Sequence, residues 1–320
     1  MSTTTPQRSR DPRTELDYRL RHLLPRPAYQ VAVGRYYAAR KLVGRNYGRG
    51  RLLPDFVIIG AAKAGTTSLY GWLSRHPYVA PATLKEVHYF DYNYYRGEDW
   101  YRRHFPLAGE RAAFAAEHGR PFLTGEASPS YITHDWAPQR LARDLPRAKL
   151  VVALRNPVDR AYSQYQMSRR ENEEPLDSFG AAVDAEQERL APELARTRVD
   201  RRYQSWPIGC WSYLLRSRYA EQMERWFALF GREQFHFVTL EELSENPQRA
   251  LDGLHGFLGL PPHVYDDLPR LHGGGYESSV DPATRERLSE YFRPHNERLY
   301  ALLGRDLGWE HQPRVADAAR

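Results

Sequence analysis

Two glycines, a lysine and two threonines stand together at the end of the apolar segment 56–59. Gly60 and Gly65 frame a short loop that contains Lys63, and Thr66 and Thr67 follow directly. Backbone N–H groups at the start of a helix, with hydroxyls and an ammonium group beside them, form a site for a phosphate-like anion. The loop therefore predicts an anion-binding site.

The position of the lysine distinguishes this loop from an ordinary loop that binds nucleoside triphosphates. In G-x-x-x-x-G-K-[ST] the lysine follows the second glycine, and the next hydroxyl holds Mg²⁺. Here Thr66 stands where that lysine should be, and Lys63 lies inside the loop. The chain has 4 lysines against 42 arginines, so a lysine kept here suggests that a compact ammonium group is required. Nothing in the loop argues for a metal-bound triphosphate.

A second cationic motif follows another apolar segment. Arg155 comes directly after segment 150–154, and Ser163 lies about two helical turns farther along the chain. Open α/β sheets bind ligands at the carboxyl ends of their strands, where Arg155 would lie. A guanidinium there and a hydroxyl on the next helix can hold a second phosphate. A structural ion pair is the alternative interpretation of Arg155.

Short apolar segments alternate with helical ones along the chain. We predict strands at 56–59, 122–124, 150–154 and 235–240, and helices at 67–74, 137–144, 158–169, 178–190, 211–230, 247–258 and 282–303. This alternation predicts an α/β fold, with a central parallel sheet flanked by helices in a single domain. The polar segment 189–202 is predicted to be a mobile or substrate-facing connection.

The charge is distributed unevenly. Residues 1–51 hold 12 basic and 3 acidic residues, or +9, and the rest of the chain holds 34 and 37, or −3. We therefore expect a disordered N-terminus at 1–15, a basic arm at 16–51, the domain at 52–310 and a tail at 311–320. The domain is not expected to bind nucleic acid. The arm could pack on the domain, or contact a membrane surface or an anionic glycan.

The single cysteine, Cys210, excludes an intramolecular disulfide and provides no metal-ligand cluster. No run approaches 18 apolar residues, and the N-terminus lacks an apolar signal segment. We expect a cytoplasmic protein, in which the arm could be membrane-peripheral.

A third motif, KEVHYFD at 85–91, follows His76-Pro77. With the two anion motifs, it resembles the PAPS-dependent sulfotransferases, especially the branch of the heparan sulfate N- and O-sulfotransferases and many bacterial members. Further matches are TGEASPSY at 124–131, LEEL at 240–243 and FLGL at 257–260. The resemblance covers about residues 54–309 and implies a P-loop-like nucleotide-binding fold.

The resemblance also implies a donor, 3′-phosphoadenosine-5′-phosphosulfate (PAPS), and no metal. Its 5′ side would be held by Lys63, Ala64, Gly65, Thr66, Thr67 and Ser68, and its 3′-phosphate by Arg155 and Ser163. Glu86 would be the base that deprotonates the acceptor, with Lys63 at the leaving phosphate and His88 as the other candidate base. The expected acceptor contacts are Lys85, Asp91, Glu126 and Ser128.

Glu86 and His88 would share one face if segment 85–91 were extended. The alternative interpretation of Glu86 is a surface carboxylate paired with Lys85. Two departures from the heparan branch weaken the case for a heparan-like acceptor. Ala127 stands where that branch commonly has a lysine, and loop 271–276 carries Gly and Tyr where basic donor contacts are expected, with Arg270 and His272 as the nearest basic candidates.

The expected acceptor is a hydroxyl on a glycan, glycolipid or specialised metabolite in a bacterium. Arginines at 196, 198, 201 and 202 could meet an anionic acceptor or form a solvated charged loop. Two other classes of protein stay open on the sequence. One is a nucleotide kinase, which would require Mg²⁺ and ATP, and the other is a non-catalytic protein that binds a nucleotide or a glycan.

Overall fold

The computed structural model describes residues 48–269 and 279–310. The predictions for the disordered N-terminus, nearly all of the basic arm and the C-terminal tail lie outside these residues. The same is true of Arg270, His272 and loop 271–276.

The described residues form one sheet of five parallel strands. These strands are β1 (Phe56–Gly60), β2 (Val79–Pro81), β3 (Leu123–Ala127), β4 (Lys149–Leu154) and β5 (Phe235–Thr239). Their order is β2-β3-β1-β4-β5, so β1 is central, and every neighbouring pair is parallel. The predicted α/β fold with a central parallel sheet is confirmed.

Helices connect the strands and cover the sheet. They are α1 (Thr66–Leu73), α2 (Glu98–Arg102), α3 (Ala108–His118), α4 (Ala137–Asp144), α5 (Pro157–Arg170), α6 (Phe179–Asp184), α7 (Glu186–Val199), α8 (Trp206–Trp211), α9 (Tyr219–Phe227), α10 (Leu240–Glu245), α11 (Pro247–Leu258) and α12 (Pro282–Leu303). A π-helical turn spans Tyr89–Asn93. Of the described helices, none is both long and apolar enough to cross a membrane.

The core explains why the strands were visible in the sequence. Every residue of β1 is buried, and β4 is buried from its second residue onward. Strands covered by helices on both faces become continuous apolar segments. β2 escaped prediction because it has three residues and ends at Pro81, which suits only the edge position it occupies.

The predicted helix 211–230 is wrong in its first half. α8 ends at Trp211, and α9 begins only at Tyr219. The buried carboxylate of Glu186 accepts hydrogen bonds from the backbone N–H groups of residues 213–215, at 2.7–2.9 Å. Because these N–H groups already have a partner, they do not form helical hydrogen bonds, and the helix is interrupted between Trp211 and Tyr219. The apolar periodicity of the sequence continues across this interruption.

Two further predictions on this side of the fold are wrong. Segment 178–190 is not one helix, because α6 ends at Asp184 and α7 begins at Glu186. Segment 189–202 is not a mobile connection, because α7 continues to Val199. Arg189 donates to the buried carboxylate of Glu174 at 2.8 Å, which fixes the first turn of this helix. The substrate-facing alternative for segment 189–202 stays a prediction.

Gly125 in β3 provides a test of the packing. A Cβ at this position would lie 2.4 Å from the ring of Phe56 on the neighbouring strand. We expect Gly125→Ala to lower the free energy of unfolding by about 1–3 kcal/mol through overpacking, measured by urea denaturation. Gly256→Ala on the exposed side of α11 is the control, because nothing lies within 4 Å there, and it should stabilise by up to about 1 kcal/mol. Equal effects of the two substitutions would contradict this packing.

Candidate active site

The carboxyl ends of the parallel strands lie at one edge of the sheet. The glycine loop follows β1, segment 82–88 follows β2, segment 128–132 follows β3, and Arg155 follows β4. The backbone joins these segments: Ser128 N–H donates to the Ile58 carbonyl at 3.1 Å, and Glu86 N–H donates to the Ala127 carbonyl at 3.0 Å. This edge is where open α/β sheets bind ligands.

The glycine loop ends at the N-terminus of α1. Gly65 is the N-cap residue, with a left-handed φ of 82°, and no side chain caps the helix there. A Cβ on Gly65 would lie 2.8 Å from Leu240 Cδ1, so both the conformation and the space require glycine. The first-turn N–H groups, with buried Thr66 beside them, have the arrangement expected of an anion site.

The two predicted anion motifs are in direct contact. Arg155 Nη1 donates to the carbonyl oxygen of Lys63 at 3.3 Å, so the guanidinium bonds to the glycine loop rather than to a carboxylate. Lys63 Nζ lies 3.4 Å from the sulfur of Met167 on α5. Ser163 is one turn earlier on α5 and is buried. The structure therefore brings Lys63, Arg155 and the Ser163 helix to one place.

Asn156 explains why α5 begins where it does. Its side chain accepts hydrogen bonds from the N–H groups of Val158 and Asp159, and Pro157 occupies the first helical position. Asn156 N–H donates to Glu241 at 3.1 Å. These bonds fix the chain immediately after Arg155.

Glu86, His88 and Asp91 form a cluster of charged groups at the same edge of the sheet as the glycine loop. Glu86 Oε2 lies 3.5 Å from His88 Nε2, and His88 Nδ1 lies 2.8 Å from Asp91 Oδ2. The hydroxyl of Ser130 donates to the same Asp91 oxygen at 2.5 Å. Lys85 pairs with the other oxygen of Glu86. The alternative interpretation of Glu86 is thus correct about Lys85 but omits His88.

The backbone brings Glu86 and His88 together by a different route from the one expected. Both residues have left-handed conformations, with φ of 62° and 53°, so the segment is not extended. His88 directly precedes the π-helical turn, which returns Asp91 to its imidazole. The condition of an extended segment is therefore not met, and the two side chains meet through these left-handed conformations instead.

The charges in this cluster determine which group can accept a proton. Burial opposes ionisation of Glu86, but the hydrogen bond to His88 and the charge of Lys85 outweigh it and lower the pKa of Glu86 to about 2. Burial disfavours the His88 imidazolium, but Asp91 and Glu86 outweigh this and raise the pKa of His88 to about 10. At neutral pH, Glu86 is a carboxylate and His88 already carries its proton.

Glu126 and Ser128 lie beneath this cluster rather than in contact with solvent. Both are completely buried. The Glu126 carboxylate accepts hydrogen bonds from Ser128 at 2.6 Å, Tyr101 at 2.8 Å and Tyr131 at 2.9 Å. This placement argues against the predicted contact of Glu126 and Ser128 with an acceptor.

Sequence reasoning assigned no role to Ser130 or to the hydroxyl of Tyr131. Both residues follow β3 directly, and that position at the carboxyl end of a strand was the available signal. Tyr92 also lies at this site, with its ring centroid 5.2 Å from that of His88.

The segment with the four arginines is attached to segment 85–92, which carries the candidate bases Glu86 and His88 and is called the catalytic segment. Gln204 donates to the Tyr92 carbonyl at 3.0 Å. Arg140 donates to the carbonyls of Phe90 and Asp91 at 2.7 and 2.8 Å, and to that of Arg201 at 2.9 Å. The exposed arginines at 196, 198, 201 and 202 therefore lie on a fixed surface beside the site. Two of them stack on rings, Arg196 on Tyr203 and Arg201 on Trp136.

Fold and site together define a nucleotide-binding α/β sulfotransferase. The family model described as "Sulfotransferase domain" matches residues 53–293, and the chain belongs to this family. It is therefore a sulfotransferase rather than a nucleotide kinase or a non-catalytic binding protein.

Individual relatives agree with this assignment. The chain is 29% identical to heparan sulfate glucosamine 3-O-sulfotransferase 5 of Mus musculus, over 80% of this chain and 74% of that protein. It is 31% identical to the bifunctional heparan sulfate N-deacetylase/N-sulfotransferase 2 of Homo sapiens, over 79% of this chain but 30% of that protein. A sulfotransferase structure from Alicyclobacillus acidocaldarius superposes with a TM-score of 0.65 at 33% identity, covering 81% of this chain and 99% of that one.

The interactions among Glu86, His88 and Asp91 predict that the stability of the protein depends on pH. The lowered pKa of Glu86 stabilises the fold above about pH 4.5, and this contribution is lost as the pH falls toward 2. The raised pKa of His88 stabilises the fold below about pH 6.5, and this contribution is lost as the pH rises toward 10. We expect His88→Asn to destabilise the protein more at pH 6 than at pH 9.5, measured by urea denaturation.

The control for this experiment is His118→Asn, which removes an exposed imidazole from α3. Its effect should be small at both pH values. A His88→Asn effect of the same size at pH 6 and pH 9.5 would show that the charge of His88 contributes nothing.

Proposed function

We propose that this protein transfers the sulfuryl group of PAPS to a hydroxyl of a glycan, glycolipid or specialised metabolite, with Glu86 as the base. The observation that carries the proposal is the position of the Glu86 carboxylate, which lies against His88 at the same edge of the sheet as the glycine loop. The donor is the one that the sulfotransferase family uses.

The residues of the glycine loop fit a phosphosulfate group. The N–H groups at the start of α1, where no side chain caps the helix, and the ammonium of Lys63 suit the negative oxygens on the 5′ side. Arg155 suits a separate phosphate, because its guanidinium is held against the loop through a single bond to the Lys63 carbonyl and keeps other donors. A donor with phosphates at both ends would use both groups at once.

Glu86 is suited to the role of base in two respects. It is ionised at any physiological pH, and its side chain is 40% exposed, so an acceptor can approach it. Each of its oxygens has one partner, Lys85 or His88, and a carboxylate oxygen can accept a second hydrogen bond. A positioned base of this kind typically contributes ~10²–10⁴-fold to the rate.

His88 is not suited to the role of base, because it is already protonated between two carboxylates. Its positive charge instead holds Glu86 ionised and oriented. When Glu86 takes the acceptor proton, the pair loses negative charge, and Asp91 still balances the imidazolium.

Lys63 is the group suited to the leaving phosphate. Sulfuryl transfer resembles phosphoryl transfer, with in-line displacement through a loose transition state. The bridging oxygen gains negative charge as the bond to sulfur breaks, and a nearby ammonium with helix-terminal N–H groups stabilises that charge.

The acceptor is proposed from the surface beside the site. Relatives are named for heparan sulfate and for glucosamine O-sulfation, which are glycan reactions. The aromatic rings of Tyr203 and Trp136, each with an arginine stacked on it, suit sugar faces and anionic groups. A glycan with negative charges is the acceptor that this surface favours.

Arg155→Ala tests the donor assignment. We expect the affinity for 3′,5′-adenosine bisphosphate to fall at least tenfold, because a charge-assisted contact to the 3′-phosphate is lost, while the affinity for 5′-AMP changes less than threefold. Isothermal titration calorimetry measures both. Arg143→Ala, an exposed arginine on α4, is the control and should change neither. Equal losses for the two nucleotides would refute the 3′ assignment.

Glu86→Gln tests the base. A transfer screen with labelled PAPS across anionic glycans, neutral glycans, glycolipids and phenols, followed by mass spectrometry, identifies an acceptor for the parent protein. With that acceptor, Glu86→Gln should lower kcat by ~10²–10⁴-fold and leave the affinity for 3′,5′-adenosine bisphosphate within threefold. Full activity of this variant would exclude Glu86 as the base.

A further inference from the structure

The buried carboxylate of Glu126 has no place in the chemistry described so far. It lies in β3 opposite Val57 of the central strand and has no exposed surface. Three hydroxyls donate to it: those of Tyr101 and Tyr131 to Oε1, and that of Ser128 to Oε2. A fully buried carboxylate normally needs hydrogen-bond donors of this kind. Two of these donors also contact the backbone of the catalytic segment.

Two of the three hydroxyls continue directly to the catalytic segment. Ser128 Oγ accepts a hydrogen bond from His88 N–H at 3.1 Å. Tyr131 Oη accepts from Tyr89 N–H at 2.7 Å and from Phe90 N–H at 3.3 Å. These are three consecutive N–H groups at the start of the π-helical turn 89–93.

We propose that Glu126 is a positioning residue that fixes Glu86 and His88 relative to each other through the hydroxyls of Ser128 and Tyr131. The proposal rests on the proposed role of Glu86 as the base. It replaces the expected contact of Glu126 with the acceptor by an action through the backbone.

The direction of the hydrogen bonds gives the carboxylate its role. A hydroxyl can donate one hydrogen and can accept at its lone pairs. Because Glu126 accepts the hydrogens of Ser128 and Tyr131, the lone pairs of both hydroxyls are turned toward the N–H groups of residues 88–90.

The backbone that is held in this way adopts conformations that side-chain-bearing residues rarely adopt. Glu86 and His88 both have left-handed φ values, on either side of Val87. The Glu86 N–H bond to the Ala127 carbonyl fixes one end of the segment, and the Ser128 and Tyr131 hydroxyls fix the other. The distance between Glu86 and His88 thus depends on the hydroxyls of Ser128 and Tyr131.

Tyr101 provides a matched control for Tyr131. Its hydroxyl donates to the same Glu126 oxygen as that of Tyr131, and both side chains are fully buried. The Tyr101 hydroxyl contacts no N–H of the catalytic segment. Its ring stacks on Tyr89 at 4.4 Å between centroids, a contact that phenylalanine would keep.

The experiment compares Tyr131→Phe with Tyr101→Phe. With the acceptor found for the parent, Tyr131→Phe should lower kcat at least tenfold while KM for PAPS and the affinity for 3′,5′-adenosine bisphosphate stay within threefold. Tyr101→Phe should keep kcat within threefold. Equal losses of kcat in both variants would show only a shared role in the core and would overturn the proposal.

A spectroscopic readout separates this proposal from the proposed function. The titration of His88, followed by NMR with labelled histidine and assigned with His88→Asn, needs neither donor nor acceptor. In Tyr131→Phe its midpoint should fall by at least one pH unit relative to the parent, because the imidazole loses part of its contact with the carboxylates of Glu86 and Asp91. In Tyr101→Phe the midpoint should stay at the parent value. An unchanged midpoint in Tyr131→Phe would overturn the positioning role, even if the parent transferred no sulfate and the proposed function failed.

Ser128 supplies a second pair of variants in case Tyr131→Phe does not fold. Ser128→Ala removes the other hydroxyl that links Glu126 to the catalytic segment, and Ser128→Thr restores a hydroxyl at this position. Ser128→Ala should lower both kcat and the His88 midpoint, and Ser128→Thr should recover at least half of each loss. Thermal unfolding checks that both variants are folded. An Ala variant that behaves like the parent would overturn the proposal.

Discussion

The parallel direction of the five strands is the constraint on which the rest of this molecule depends. Because all strands run the same way, the loops after β1, β2, β3 and β4 meet at one edge. Residues far apart in the chain become neighbours there without any long excursion of the backbone. Each loop then contributes a different part of the site. The first loop carries Lys63, the second Glu86 and His88, the third the supporting hydroxyls, and the fourth Arg155.

Charge is balanced differently in the two halves of this edge. On the side proposed to bind the donor, the named groups are cations and N–H groups, and Arg155 bonds to a carbonyl, so this side keeps its positive character. On the side proposed to bind the acceptor, Glu86 and Asp91 enclose a protonated His88. A polyanionic donor would raise the pKa of a carboxylate placed close to it, and the imidazolium would offset that effect.

The sequence predicted the parts of this architecture that depend on local pattern. The buried strands β1 and β4 appear as apolar segments, and the predicted helices 247–258 and 282–303 have the bounds of α11 and α12. Contacts distant in sequence were not predictable. The break before α9 depends on Glu186, which is 27 residues from the N–H it receives at Tyr213. The left-handed turns at Glu86 and His88 likewise depend on hydroxyls about 40 residues away, such as that of Ser128.

The way in which the arginine-bearing surface is fastened has a consequence for the evolution of this protein. Gln204 and Arg140 hold segment 201–204 and the catalytic segment through carbonyl oxygens, and Trp136 donates to the carbonyl of Thr197. Every amino acid supplies a carbonyl. These three hydrogen bonds therefore do not depend on which side chains stand at 196, 198, 201 and 202, so the proposed acceptor preference can diverge by mutation there while the bonds are kept.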